Sequence, residues 1–214
     1  SLAEAATEAI GANSLLARVQ AYYHDIGKLA KPEYYAENEP ASSRSRHEKL
    51  TPSMSALVVK SHISEGLELA RKQRLPRAVR TAIPEHHGSM AMAFFYHKAL
   101  ETDPTARRED YSYPGPRPRS KETAILMLSD GVEGASRALA EPTPSRIRGL
   151  VQRIIEERVR DGQLDECNIT IQALARIREA FIPVLTAIFH VRVPYPAAPK
   201  PAPKRSEFDA RRDS

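Results

Sequence analysis

The stretch Ala21–Pro40, AYYHDIGKLAKPEYYAENEP, decides how the chain is read. A helix of apolar character places His24 beside Asp25, follows them with Gly27 and Lys28, and passes into a polar loop. Side chains adjacent on a helix do not share a face, so burial alone does not require both. Where a helix ends, two neighbours can converge on one small object. A metal ion is the candidate, because imidazole and carboxylate are both ligands for transition metals.

The composition limits what that object belongs to. With 214 residues, of which 41% are hydrophobic, the chain can bury one good core, or a core with a helical appendage. The net charge of +5 suits an anionic ligand, but it is spread too thinly to make a groove for polymeric nucleic acid. Cys167 is the single cysteine, which excludes an intrachain disulfide and a Cys-rich zinc site and fits a reducing, cytoplasmic setting. No apolar run is long enough to span a bilayer. The chain opens inside a helical pattern, SLAEAATEAIGAN, and reads as a piece of something longer.

The periodicity is helical nearly throughout, so an all-α fold is expected. Helices are predicted over 2–10, 14–26, 52–70, 76–86, 89–102, 120–139, 144–161 and 170–190. Thr51-Pro52 and Thr143-Pro144 each read as an N-cap followed by proline at the first helical position, where its missing N–H costs nothing. Two polar loops, ENEPASSRSRHEKL and TARREDYSYPGPRPRS, are expected to lie outside the core. The end, from Pro194 on, is rich in proline and reads as an extended tail.

Four of the seven histidines stand where apolar helical segments end or turn: His24 in YYHDIGK, His62 in VVKSHISEG, and His86 and His87 in IPEHHGS. Asp130 arrives after a strongly apolar run in AILMLSDGVEGASRAL. Each alone is most simply a partly buried, hydrogen-bonded residue. Together with Asp25 they bring imidazoles and carboxylates from four separate helices, a donor set that iron, manganese and zinc all accept. His47 and His190 lie outside this group and receive no role.

The order His-Asp, His, His-His, Asp resembles the HD-domain phosphohydrolase superfamily. More closely, AYYHDIGKL, SALVVKSHISEGLELA, IPEHHGS, FFYHKAL, YPGPRPRSKETAILMLSDGVEGASRAL, DGQLDECNIT and LTAIFHVRVPYP resemble the cytoplasmic domain of the bacterial seven-transmembrane HD proteins. The resemblance implies a helical HD bundle with a dinuclear metal site over residues 1–195, followed by a flexible tail over 196–214. It implies a phosphodiesterase that opens cyclic di-AMP to the linear dinucleotide pApA, using a hydroxide held between two divalent ions, manganese or iron. The full-length protein would be embedded in the membrane through a segment absent here. Carried over by motif, Asp25 bridges the two ions; His62, His86 and His87 complete one, and His24 and Asp130 belong to the other. In the family a further histidine precedes the HD pair, and its place falls before Ser1.

Substrate contacts are read from spacing. Lys28, four residues past His24, can reach a phosphate or the departing oxygen, or stand as a solvated lysine at a helix end. Tyr96, His97 and Lys98 follow closely on the AFF run and are candidate contacts. Arg137, two turns beyond Asp130, can present a planar fork to phosphate or pair with Glu133. Tyr111 and Tyr113 can stack on adenine or simply pack. The family's ENQ appears here as Glu37-Asn38-Glu39, and Pro183 is expected to kink the last helix. Rival readings are another HD phosphohydrolase, acting on cyclic di-GMP or a nucleotide phosphate, and a catalytically weak domain that binds a cyclic dinucleotide for signalling. No GYP signature follows the paired histidines, and Gly27-Lys28 stands where an alarmone hydrolase carries an acidic pair.

Overall fold

Polar side chains fix where the helices begin. Asn13 accepts from the Leu16 amide at 2.9 Å, Thr51 from Met54 at 3.2 Å and Thr143 from Arg146 at 3.3 Å. Each such cap satisfies an amide that the helix cannot, at about 1 kcal/mol. Prolines 52 and 144 occupy the first turns as expected. Ser120 and Thr123 close a reciprocal capping box on the next helix.

The computed structural model describes residues 2–38 and 45–190; Glu39 and the proline-rich tail, on which two expectations rested, lie outside the described residues. The helices are α1 (Leu2–Ala9), α2 (Ser14–Tyr23), α3 (Pro52–Lys72), α4 (Arg77–Arg80), α5 (Ala82–Glu85), α6 (Ala93–Leu100), α7 (Lys121–Ser136), α8 (Pro144–Arg160) and α9 (Ile171–His190). Among the described residues the only β pairing is the isolated antiparallel bridge Ala91–Ser112. The fold is all-α.

α7 is the central helix. Every residue from Thr123 to Ser129 is buried, which requires partners on all sides rather than on one amphipathic face. α1, α2, α8 and α9 surround it, with Ile125, Leu128, Val132, Ile147, Val151 and Phe181 among the buried side chains they share. Asp130 follows immediately on this buried run, so the core itself positions it. α9 runs as one element through Pro183.

Three expectations are corrected. α2 stops at Tyr23 rather than near residue 26, and the chain tightens into a 3-10 turn over Ile26–Ala30. The segment 76–86 divides at Thr81 into α4 and α5. The loop 105–120 is not excluded from the interior: the Met92 amide donates to the Tyr111 carbonyl at 2.8 Å and the Tyr113 amide to the Met90 carbonyl at 2.9 Å. That pairing draws Tyr111 into a cluster with Ala56, Met92 and Ala99, so Tyr111 packs and does not face a ligand.

The 3-10 turn lies flat against α3 because two glycines meet. A Cβ on Gly27 would overlap the His62 carbonyl oxygen and sit 2.5 Å from the Gly66 nitrogen, while a Cβ position on Gly66 already lies 3.1 Å from Ile83 Cγ2. Both obstacles to Gly27 are backbone and cannot rotate away. Gly27→Ala is therefore expected to destabilise by at least about 3 kcal/mol, the upper end of ordinary overpacking, and to separate Asp25 from His62. Urea unfolding measures it, and an unchanged midpoint would show that the contact does not constrain the turn.

Candidate metal centre and its flanking cavities

Helix ends deliver the site. His24 occupies the C-cap of α2, and its Nδ1 lies 3.0 Å from the Ala21 carbonyl. His62 on α3 holds its Nδ1 2.6 Å from the Val59 carbonyl, and His86, at the C-cap of α5, holds its Nδ1 2.7 Å from that of Ile83. A carbonyl only accepts, so each Nδ1 carries a proton and each Nε2 faces the site. Those three Nε2 atoms, together with Asp25 Oδ1, are buried with no hydrogen-bond partner. A buried polar atom left unpaired costs about 1–3 kcal/mol, so four in one place point to something that satisfies them together.

The unpaired atoms converge on Asp25. Its Oδ1 is 3.6 Å from His62 Nε2 and 3.5 Å from His86 Nε2, and its Oδ2 is 3.2 Å from His24 Nε2, which in turn is 3.8 Å from Asp130 Oδ1. Two donor groups result, Asp25–His62–His86–His87 and His24–Asp25–Asp130, with the ligand atoms of each within 4.8 Å of one another. All six residues singled out from the sequence are brought together, with Asp25 common to both groups. The donors fit divalent metal: neutral nitrogen and anionic oxygen in two adjoining nests.

The electrostatics distinguish the two donor groups. Burial pushes the His62 imidazole down to about 4, helped by His86, and burial holds His87 well below its ordinary value, so both are neutral donors near pH 7. Burial also opposes charge on His24, but Asp130 and Asp25 outweigh it and raise the imidazole to about 10. Against the same burial penalty, His24 and His86 hold the Asp25 carboxyl far below the usual range, and His24 holds Asp130 low. Two ionised carboxylates side by side call for a cation, whether a proton on His24 or a metal.

Lys28 is not a solvated lysine. Its Nζ lies 2.7 Å from Asp25 Oδ2 and 2.6 Å from Glu37 Oε1, and 5.3 Å from the centre of the Tyr35 ring. Glu37, which the sequence reading did not single out as a partner, thus holds the ammonium beside the cluster.

Two cavities share Asp130 as a wall. One, of about 580 Å³, is lined by His87, Tyr96, His97, Tyr113 and Arg158; the other, of about 500 Å³, by His24, Asp25, Lys28 and Arg137. Leu2 and Ala3 of α1 also line the second. Tyr96 stands where a substrate contact was expected. Arg137 lines the second cavity, and Glu133 engages its guanidinium at 2.9 Å, which is the ion-pair reading of this residue.

Tyr113 stacks on His87 with ring centres 4.1 Å apart and planes within 15°, so one face of its ring packs while the residue also lines the larger cavity. One expectation needs revision. Lys98 lines neither cavity; it borders a separate pocket of about 240 Å³ with His47, Phe94 and Phe95. The cause is helical geometry, because Lys98 falls one turn after Phe94 and shares its side of α6, not that of Tyr96.

The sequence reading passed over two further residues. Glu85 is buried and accepts from Thr123 Oγ1 at 2.6 Å and the Arg119 amide at 3.1 Å, tying the His86-His87 turn to the start of α7. A buried acid beside the paired histidines was the available signal. Arg158 lines the larger cavity, but nothing in the sequence separates it from the other arginines of α8.

Comparison with known proteins agrees with this geometry. The chain is 43% identical to the cyclic-di-AMP phosphodiesterase PgpH of Bacillus subtilis over 199 residues, covering 93% of this chain and 28% of that protein. It is 43% identical to PgpH of Listeria monocytogenes over 195 residues, covering 91% of this chain and 27% of the relative. The chain therefore spans little more than a quarter of the length of these relatives. The solved structure of the Listeria PgpH HD domain in complex with cyclic-di-AMP superposes with a TM-score of 0.85 at 43% identity, over 87% of each chain. The family model for the HD domain matches residues 1–135. That span contains every residue of the two donor groups, and the chain belongs to the HD domain family.

Proposed function

We propose that this domain is a phosphodiesterase that opens cyclic di-AMP to linear pApA, with two divalent transition metal ions, manganese or iron, held by the two donor groups. The observation that carries this reading is the shared carboxylate, Asp25, between two nests of unpaired buried lone pairs. The naming of the 43% identical relatives as cyclic-di-AMP phosphodiesterases, and the Listeria domain solved with that nucleotide, supply the substrate. His62, His86, His87 and Asp25 would hold one ion, and His24, Asp25 and Asp130 the other. Bound there, the ions supply a lowered water pKa and neutralise charge on the phosphoryl oxygens of an in-line displacement.

The chain's own groups do the rest. Asp25 and Asp130 place their charge between the two cavities, so a phosphodiester lying across Asp130 can extend into both. Lys28, kept charged by Asp25 and Glu37, stands in the smaller cavity to meet phosphate oxygens or the departing oxygen. Arg137 lies further along the same wall. The relatives extend far beyond the matched region, and no helix among the described residues is long and apolar enough to cross a membrane. A membrane-embedded part would therefore belong to a segment outside this chain, with the present domain on the cytoplasmic side.

The rivals are a related hydrolase acting on cyclic di-GMP or a nucleotide phosphate, and a weakly active binding domain. Both donor groups are intact, which favours turnover over mere binding. A site that pairs with one purine edge leaves groups unpaired with the other, so cyclic di-AMP should be preferred. Purified protein with manganese, incubated separately with cyclic di-AMP and cyclic di-GMP and followed chromatographically, is expected to release pApA and to act faster on the adenine form. No turnover, or preference for the guanine form, would refute the assignment.

Asp25→Ala is expected to weaken metal retention more than about 100-fold at both positions and to abolish hydrolysis while leaving the helical fold, because alanine offers no donor to either ion. Metal analysis of the folded variant checks this; two ions still bound would contradict the bridging role.

A further inference from the structure

Three of the five arginines of α8 pair with acids on the surface. Arg146, Arg148 and Arg153 pair with Glu141, Glu179 and Glu157. Arg158 turns inward instead. Its Nε is buried without a hydrogen-bond partner, and among the described residues no ion pair holds its guanidinium. Glu157, Asp161 and Asp130 favour its charge from a distance, against a burial that opposes it.

Room for this arrangement comes from the residue after Asp130. A Cβ on Gly131 would lie 3.3 Å from Arg158 Nη2 and 3.4 Å from Ile154 Cγ2, so the glycine leaves the guanidinium space against α7. Arg158 and Gly131 line the 580 Å³ cavity together with His87 and Asp130. A desolvated cation with an unused planar fork, facing a cavity that opens on the metal centre, is matched to a doubly bonded anion such as a phosphate. Of the other two arginines that line the cavity, Arg108 is engaged with Asp161 at 2.8 Å, and Arg160 is exposed at the end of α8.

We propose that Arg158 binds a phosphate oxygen of the substrate within the larger cavity, on the far side of Asp130 from Lys28. This rests on the phosphodiesterase reading and deepens it. Two cations then grip the substrate from the two cavities, Lys28 from one and Arg158 from the other, while the scissile ester lies between. Arg158 is a substrate-binding residue here and takes no part in holding metal.

Arg158→Gln and Arg158→Lys, prepared as the manganese-loaded protein, test this. Loss of a charge-assisted fork predicts a KM for cyclic di-AMP raised about tenfold to a hundredfold in Arg158→Gln, with kcat within about threefold of the parent and metal content unchanged. Arg158→Lys, which keeps the charge and the apolar stem but not the fork, is expected to fall between. An unchanged KM in the glutamine variant, or a loss of bound metal that accounts for the defect, would overturn the proposal. Should that variant fail to fold, the lysine variant decides: a KM raised severalfold supports the fork, and an unchanged KM refutes it. If the parent protein does not turn over cyclic di-AMP at all, the functional reading fails first. Direct titration with adenosine monophosphate then judges Arg158 separately, with weaker binding to the variant supporting the assignment and equal binding refuting it.

Discussion

The whole metal centre hangs on one backbone contact, Gly27 against the His62 carbonyl and the Gly66 amide. Because neither glycine has a side chain, the 3-10 turn after α2 can press against the middle of α3. That approach brings Asp25, at the head of the turn, to His62 in the middle of α3. The same face of α3 receives α5 through Ile83, so His86 and His87 arrive on the third side. Asp130 comes from the buried core helix α7 and cannot move independently of it. Four helices thus meet with little freedom, as a site that holds small ions within a few tenths of an ångström requires.

The two halves of the centre are unequal. One nest combines three neutral imidazoles with a carboxylate, and the other combines one imidazole with two carboxylates. The first has four donors and the second three, so an ion held by the second would have more of its coordination left to water or substrate. Leu2 and Ala3 border the cavity on that side, where the start of α1 faces His24 and Asp130.

The candidate donors are legible in the sequence because their chemistry is carried by adjacent residues at helix ends. His24-Asp25 and His86-His87 cannot both face a core on a regular helix, and each pair was legible for that reason. What remained hidden depends on contacts between elements. Gly27 reads as a plain helix stop until α3 is seen against it. Lys98 reads as a candidate contact because it follows closely on the AFF run, yet the rotation of α6 sends it with Phe94 into another pocket. Tyr113 reads equally as an adenine contact or as packing, and only the fold shows its ring lying on His87. The loop 105–120 looked too polar to be interior, and two backbone hydrogen bonds to residues 90 and 92 bring it in. Arg158 has no distinguishing signal, since its role depends on the space left by a glycine on a different helix.

The central claim is that one carboxylate joins two metal sites. Diffraction from crystals of the manganese-loaded protein, recorded at the manganese absorption edge, tests it most directly. The account predicts two anomalous peaks about 3.5–4 Å apart with Asp25 between them, the stronger among His62, His86 and His87 and the weaker between His24 and Asp130. A single peak, or two peaks that do not share Asp25, would contradict it.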